Sequence, residues 1–349
     1  MKLISITITV LTIVLIVQLF YLFQSKDGGK VIRINIEAIA LKGNIMNEPS
    51  QRFISIYLPK GYENSAIEYP TVYFLHGFRG SDELFNSDFK KELDEAIEKK
   101  LIPPLIFIAP NSSTKFGGSF YTNSDIAGKW ADYIALDVVK YIDENYRTIK
   151  NKNSRIISGH SMGGNGALKI AMLFPSVFGS VYALSPSILY WSEELISTHE
   201  AFTKISEAKN FKEIESDLYA AGFLAMGSTY SPKLNYPPFY CQMPYSKINN
   251  KMVIDSSVYN IWEVQFPLQM IKYNIASLKS LNGIGFDWGN NDEFKHLPVT
   301  CKLLDKELSK FGILHSAIEY EGKHSDKLTG KESRMMNGLF PFINENLKH

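Results

Sequence analysis

The stretch SGHSMGG, residues 158–164, decides the fold. It contains the pattern G-x-S-x-G around Ser161, which chance alone makes common. The context is more specific, because a short apolar strand is predicted at Arg155–Ser158 and a helix at Gly163–Phe174. A serine on a sharp turn between a strand and a helix exposes its hydroxyl, in the arrangement called a nucleophile elbow. We therefore interpret Ser161 as a candidate nucleophile. The alternative is a glycine-rich turn with a structural serine.

Glycine at positions 159 and 163 fits this interpretation, because a Cβ atom would clash in so tight a turn. The backbone N–H of Met162 would stand at the start of the helix, where unpaired donors and the helix dipole favour an anion. A second donor for the same anion is expected from the loop after the strand Thr71–Leu75, and we assign the N–H of Phe78. His76, in the same loop, is interpreted as a hydrogen-bonded organiser without a chemical role.

Apolar strands and helical patterns alternate along the remainder of the chain. This alternation predicts a mostly parallel central sheet with helices on both faces. The predicted strands are Phe53–Leu58, Thr71–Leu75, Leu105–Ala109, Arg155–Ser158, Val181–Ser185, Ile284–Trp288 and His315–Tyr320. The predicted helices are Phe89–Lys99, Trp130–Asn145, Gly163–Phe174, Val299–Phe311 and Leu339–Leu347.

One stretch interrupts the alternation, at about residues 189–281, where the pattern is irregular and rich in tyrosine and proline. We interpret it as a lid-like insertion between two sheet strands. Such an insertion usually covers the carboxyl ends of the strands, where ligands bind. A peripheral decoration is the alternative.

A serine nucleophile needs a histidine base and an acid that orients it, in the chain order serine, acid, histidine. His324 lies in a loop just after the last predicted strand and is the preferred base. Asp292 lies in the loop past the strand Ile284–Trp288 and is the preferred acid. The other candidates are His296 as second choice for the base, with Asp287 and then Glu293 for the acid. The remaining downstream histidines, His199, His315 and His349, are less suitable.

The first 25 residues are predicted to be a membrane anchor or a signal peptide. Leu3–Phe23 contains one glutamine and no charge, and about 20 apolar residues span a bilayer as a helix. No good cleavage site follows, so an uncleaved anchor is preferred to a cleaved signal peptide. An exported body, residues 26–349, tethered or secreted, is therefore expected. Cys241 and Cys301 are compatible with export, either as a disulfide or as two buried thiols.

Composition and motifs exclude several classes of protein. The 349 residues are 45% hydrophobic and 21% charged, as in an ordinary globular protein, and the net charge of +1 gives no footprint for nucleic acid. There is no H-E-x-x-H, no cysteine pair at ligand spacing and no phosphate-binding loop. We therefore expect neither a metal nor another cofactor.

The chain resembles the putative-esterase family of α/β-hydrolases, which includes feruloyl esterases, S-formylglutathione hydrolases, enterochelin esterases and mycolyltransferases. The resemblance covers about Gln51 to His324. It rests on the segments YLPKGY (57–62), YPTVYFLHG (69–77), YIDENYRT (141–148), GHSMGGNGAL (159–168), FPSVFGSVYALSP (174–186), FDWGNNDEF (286–294) and YEGKHS (320–325). It implies an α/β-hydrolase fold, a triad of Ser161, Asp292 and His324, and an oxyanion hole at Phe78 and Met162.

The expected function is that of a serine carboxylic-ester hydrolase that acts on a small ester through an acyl-enzyme. Two alternatives stay open. The same acyl-enzyme could be transferred to an alcohol, or the fold could serve a binding protein without catalysis. The long insertion leaves the identity of the ester open.

Overall fold

A computed structural model describes residues 28–86, 88–196 and 200–347 of the chain. Its centre is an eight-stranded sheet with strand order β1-β2-β4-β3-β5-β6-β7-β8. The strands are β1 (Lys30–Glu37), β2 (Gln51–Leu58), β3 (Thr71–Leu75), β4 (Ile106–Pro110), β5 (Arg155–His160), β6 (Ser180–Leu184), β7 (Gly283–Gly289) and β8 (Ser316–Tyr320).

The six strands from β3 to β8 run parallel, and β1 and β2 add an antiparallel edge. Every residue of β3, β4 and β6 is buried. Such strands read as continuous apolar runs in the sequence, as expected when helices cover both faces of a sheet. The prediction of a mostly parallel sheet is confirmed, and its carboxyl edge carries the loops that follow β3, β5, β7 and β8.

Helices pack on both faces of the sheet and bury two hydrophobic clusters, one on each side. The helices are α1 (Phe89–Glu98), α2 (Val139–Asn145), α3 (Met162–Leu173), α4 (Glu200–Glu207), α5 (Leu218–Tyr230), α6 (Ser256–Glu263), α7 (Pro267–Met270), α8 (Ile275–Lys279), α9 (His296–Lys310) and α10 (Phe340–Asn346). Two π-helical segments, Tyr133–Val138 and Met335–Leu339, lead directly into α2 and α10, and Trp130–Asp132 begins the helical run that ends in α2.

Residues 189–281 lie between β6 and β7, which are neighbours in the sheet. They hold the helices α4 to α8 and a two-stranded hairpin, Tyr245–Ile248 with Lys251–Ile254. Within this segment, Asp217 caps α5 by accepting a hydrogen bond from the N–H of Ala220 at 2.9 Å. A large aromatic group, which includes Trp191 and Trp262, forms its interior.

The prediction of a transmembrane protein is corrected by the structure. A helix needs about 20 apolar residues to cross a bilayer, and within residues 28–86, 88–196 and 200–347 no helix is long and apolar enough. The segment Leu3–Phe23, on which the prediction rested, lies outside the described residues.

The two cysteines, whose state the sequence left open, are free thiols. Both are buried, and burial raises the pKa of Cys241 to about 12. A thiol with so high a pKa stays protonated, so Cys241 behaves as a small apolar side chain.

Candidate active site

Ser161 occupies the turn between β5 and α3 in a strained conformation. Its φ is 59° and its ψ is −117°, a combination that L-residues rarely adopt. Backbone hydrogen bonds to the end of β6 hold the turn, since the N–H of Ser161 donates to the carbonyl of Leu184 at 2.9 Å. The Ser161 carbonyl accepts from the N–H groups of Asn165 and Ser187, at 3.0 and 3.1 Å. The geometry is that of a nucleophile elbow.

The glycines beside Ser161 are required by contact with neighbouring backbone. A Cβ atom on Gly163 would lie 1.9 Å from the carbonyl oxygen of Leu75, at the end of β3. A Cβ atom on Gly159 would lie 2.5 Å from the carbonyl carbon of Gly163. The backbone atoms cannot move aside without disrupting the sheet, so the prediction that both positions need glycine is confirmed.

His324 and Asp292 form a buried pair at the carboxyl edge of the sheet. The Nδ1 atom of His324 lies 2.9 Å from Oδ2 of Asp292, and the two residues are 5% and 1% exposed. The other carboxylate oxygen of Asp292 accepts from the N–H of Phe294 at 2.9 Å. The N–H of His324 donates to Glu293 at 3.1 Å. Because Nδ1–H donates to the carboxylate, the neutral imidazole carries its lone pair on Nε2.

The backbone of His324 is tied to the residue that precedes Ser161. The Nε2–H of His160 donates to the carbonyl of His324 at 3.1 Å, and the two imidazole rings are 4.8 Å apart. Burial, together with the neighbouring His324, holds the pKa of His160 well below its ordinary value, so His160 stays neutral. The Nε2 atom of His324 is buried and has no hydrogen-bond partner among the described residues. The Ser161–His324 hydrogen bond is therefore not formed in this structure.

The alternative acids have other partners. Asp287 is buried in an ion pair with Arg334 and accepts from the N–H of Ser185 at 3.1 Å. Glu293 binds the backbone N–H of His324 and not its imidazole.

The alternative bases also have other partners where the structure describes them. His296 pairs with Glu194 at 2.8 Å, and His315 pairs with Asp305 at 2.9 Å. His199 and His349 lie outside the described residues. Within the described part of the chain, the structure therefore joins His324 to Asp292, the preferred pair of the sequence analysis.

Met162 directly follows Ser161, and Phe78 lines the same cavity as Ser161. Met162 is the first residue of α3, and its N–H precedes the helical hydrogen-bond ladder. The loop of Phe78 is folded back by the Gly80 N–H, which donates to the carbonyl of Gly77 at 3.0 Å. Neither Phe78 nor Met162 has an acceptor for its N–H among the described residues. The oxyanion hole expected at these two N–H groups stays a prediction.

His76 fixes the shape of the loop that carries Phe78, as predicted. Its Nδ1–H donates to the carbonyl of Gly77, and its Nε2 accepts from the N–H of Ser112, both at 2.8 Å. Burial lowers the pKa of His76 to about 4. The imidazole is therefore neutral at ordinary pH, as its two hydrogen bonds require.

A cavity with about 450 Å³ of empty space, part of it open to solvent, lies above Ser161. Its wall is almost entirely apolar, and the insertion contributes part of it. The lining residues are Phe78, Phe120, Ser161, Ser187, Ile188, Leu218, Tyr219, Gly222, Phe223, Phe294 and His296. The serine hydroxyl thus faces a space suited to an apolar group.

Two residues that shape this region were missed by sequence reasoning. Arg334 donates to the carbonyl of His324 at 3.3 Å, and Glu194 holds His296. Neither residue stands in a motif. Glu194 lies 102 residues from His296, and Arg334, which follows His324 by 10 residues, pairs with Asp287, which lies 47 residues before it. The Glu194–His296 and Arg334–Asp287 pairs form only in the folded chain, so no local signal could have found them.

A family model described as putative esterase matches residues 45–299. Two esterases of Mycobacterium tuberculosis are each 31% identical over 132 residues, which is 36% of this chain and 27% of the relative. The uncharacterized protein YbbA of Bacillus subtilis is 26% identical over 198 residues, which is 51% of this chain and 73% of the relative. The match thus spans about a quarter of the length of the M. tuberculosis esterases.

Solved structures share the fold over nearly the whole chain. A ferulic acid esterase superposes with a TM-score of 0.61 at 18% identity, covering 92% of this chain and 99% of its own. The fluorophosphonate-binding serine hydrolase F of Staphylococcus aureus gives 0.57 at 18%, with coverage of 92% and 99%. An S-formylglutathione hydrolase of Agrobacterium tumefaciens gives 0.57 at 16%, with coverage of 92% and 97%. The prediction of an α/β-hydrolase fold is confirmed.

Proposed function

The chain belongs to the putative esterase family, and from this premise we propose that it hydrolyses carboxylic esters with Ser161 as the nucleophile. The single observation that carries the proposal is the buried His324–Asp292 pair beside the elbow. The Nδ1 atom of His324 lies 2.9 Å from the carboxylate of Asp292, and its Nε2 atom has no hydrogen-bond partner among the described residues. An imidazole held in this way is prepared to accept a proton at Nε2.

The proposed reaction begins when an ester enters the cavity and Ser161 Oγ attacks its carbonyl carbon. Nε2 of His324 takes the hydroxyl proton, and the carboxylate of Asp292 stabilises the resulting imidazolium. The N–H groups of Phe78 and Met162 bind the oxyanion of the tetrahedral intermediate. The intermediate then expels the alcohol, which receives the proton from His324.

Water completes the cycle. It attacks the acyl-enzyme carbonyl while His324 accepts its proton, and collapse of the second intermediate returns Ser161 and releases the acid. In many enzymes without ligand, catalytic hydrogen bonds are long and tighten when substrate binds. In this proposal the Ser161–His324 hydrogen bond forms when the ester fills the apolar cavity and excludes water from it.

The test is the hydrolysis of p-nitrophenyl acetate and butyrate, together with labelling by a fluorophosphonate. Ser161→Ala should lower kcat by at least about a thousandfold and abolish labelling, because no other nucleophile replaces the hydroxyl. Ser206→Ala is the matched control, since Ser206 is exposed and its hydroxyl bonds its own helix. Full activity or labelling in Ser161→Ala would refute the proposal, and a competing alcohol added to the assay separates hydrolysis from acyl transfer.

A further inference from the structure

Three consecutive residues of the turn after β7 contact His324. Asp292 binds the imidazole, with Oδ2 at 2.9 Å from Nδ1. The ring of Phe294 packs edge-to-face against the same imidazole, with the ring centroids 4.8 Å apart and the planes at 85°. Between these two residues, Oε2 of Glu293 accepts a hydrogen bond from the backbone N–H of His324 at 3.1 Å. Two residues of the turn therefore hold the side chain of the proposed base, and the third holds its backbone.

The backbone carbonyl of His324 is held by several groups at once. Donor atoms of four side chains lie 3.1 to 3.3 Å from its oxygen, and these side chains are His160, Ser185, Tyr320 and Arg334. They come from the end of β5, the turn after β6, the end of β8 and the segment that precedes α10. Loss of one donor therefore leaves others in place.

The N–H of His324, by contrast, has a single acceptor among the described residues, which is the carboxylate of Glu293. The two residues are 31 positions apart and follow two neighbouring strands of the sheet, β7 and β8. A hydrogen bond to an ionised carboxylate is roughly twice as strong as one between neutral groups. This bond ties the loop of the proposed base to the turn of the proposed acid, and no other acceptor replaces it.

Glu293 also brings a negative charge close to His324. Burial raises the pKa of Glu293, but the hydrogen bonds from the N–H groups of His324 and of Glu293 itself, with the charges of His324 and Lys323, outweigh burial and keep this pKa below its ordinary value. The carboxylate is therefore ionised at neutral pH. It attracts the imidazolium that forms when His324 takes the proton of the serine hydroxyl.

Other titratable and charged groups surround His324 on the elements packed against it. They are Asp287, Asp292 and Glu293 on β7 and the turn after it, His160 at the end of β5, Tyr320 at the end of β8, Lys323 and Asp326 in the loop of His324, His296 and Cys301 in α9, and Arg334 before α10. Asp287 and Arg334 compensate each other as an ion pair, and Asp292 is buried. Glu293 is exposed, so its charge can be removed without disturbing the buried groups.

We propose that Glu293 is a positioning residue of the active site, which holds His324 through its backbone N–H and supports the imidazolium through its negative charge. The inference rests on the proposed esterase function. Glu293 contacts neither the ester nor the atoms that react, and it acts on the reaction through His324.

The test separates the hydrogen bond of Glu293 from its charge, with p-nitrophenyl acetate as substrate between pH 5 and pH 9. Glu293→Gln keeps an acceptor oxygen and removes the charge, so the imidazolium is less favoured. The acid limb of the kcat/KM profile should then move to lower pH by about 0.5 unit, as expected for a charge at about 6 Å in water. Glu293→Ala removes the acceptor as well, so kcat should fall by about tenfold while KM changes little.

Glu321→Gln is the matched control, because Glu321 is an exposed carboxylate three residues from His324 in the same loop. Its acid limb should stay at the wild-type pH. In 1 M NaCl the offset of Glu293→Gln should shrink, because salt screens exposed charges and leaves the structure of the turn unchanged.

Two results would overturn this inference alone: an acid limb in Glu293→Gln at the wild-type pH, or a wild-type kcat in Glu293→Ala. Absence of ester hydrolysis by the wild type would contradict the proposed function, and this inference with it.

Discussion

Arg334 and Asp287 form a buried ion pair beneath the loop that carries His324. The guanidinium donates to both carboxylate oxygens, through Nη2 and through Nε, the latter at 3.3 Å. The same group donates to the His324 carbonyl at 3.3 Å and to the hydroxyl of Ser185 at 2.9 Å. The arginine therefore connects β7, the turn after β6 and the loop of the proposed base.

We expect Arg334→Met to destabilise the fold and to lower kcat. Removing one partner of a buried ion pair leaves the other charge uncompensated, at a cost of about 3–5 kcal/mol. The His324 loop also loses a donor, so kcat should fall more than KM changes. Urea unfolding measures the first effect, and hydrolysis of p-nitrophenyl acetate the second.

Two controls accompany this prediction. Lys331→Met replaces an exposed cation of the same segment and should change the free energy of unfolding by less than about 0.5 kcal/mol. The double variant with Asp287→Asn and Arg334→Met should cost less than the two single variants together, because neither charge is left alone. Strict additivity would show that the two residues do not act as a pair.

Gly222 lies inside α5 and lines the cavity, and outside its own stretch of helix no atom lies within 4 Å of where its Cβ would stand. Glycine in a helix interior costs about 0.5–1 kcal/mol relative to alanine. Gly222→Ala should therefore raise the free energy of unfolding by about that amount. The added methyl group enters the cavity, so kcat/KM should fall more for p-nitrophenyl butyrate than for the acetate.

Gly227→Ala is the matched control in the same helix. Its Cβ would lie 2.2 Å from the Cε atom of Met243, which must move aside, and 3.1 Å from the Sγ atom of the buried Cys241, so the gain in helix propensity is opposed by crowding. The stabilisation seen at Gly222 should be absent there. Equal loss of activity toward the two esters in Gly222→Ala would show that the acyl group does not occupy this part of the cavity.

The sheet and the elbow could be predicted because their signals are local. The strand Thr71–Leu75 was predicted with the bounds that the structure gives it, because a short, largely apolar and β-prone run is typical of a strand buried on both faces of a sheet. The turn at Ser161 was readable from a strand, two glycines and a helix in sequence. The chain order serine, acid, histidine then favoured Asp292 and His324 among the downstream candidates.

The remainder depends on contacts between distant segments. The edge strand Lys30–Glu37 was missed because it is half exposed and polar at its ends, so its pairing with Gln51–Leu58 gives it structure that its own pattern does not reveal. The pairing of His296 with Glu194 was also hidden, because Glu194 lies 102 residues away in an irregular part of the sequence. Burial and partner choice are properties of the fold.

Lys169 is buried in α3, with its ammonium among oxygen atoms that carry no full negative charge. It is 1% exposed and donates to the hydroxyl of Thr122, to that of Tyr230 at 3.2 Å and to the carbonyl of Phe120 at 3.4 Å. Burial without a carboxylate partner disfavours the charged form and lowers the pKa of Lys169 from 10.5 to about 7.

This shift makes stability depend on pH in a predictable direction. Between about pH 7 and 10.5 the unfolded chain binds a proton at Lys169 that the folded chain lacks. Stability therefore rises with pH across this window, by up to about 1.4 kcal/mol per pH unit. Lys169→Met removes this titrating group. The free energy of unfolding of the wild type minus that of the variant, measured by urea unfolding, should therefore increase between pH 7.5 and 9.5. Because both proteins contain the same tyrosines and cysteines, the contributions of those groups to the pH dependence cancel in the difference. A difference in free energy of unfolding that does not change with pH would show that Lys169 keeps an ordinary pKa.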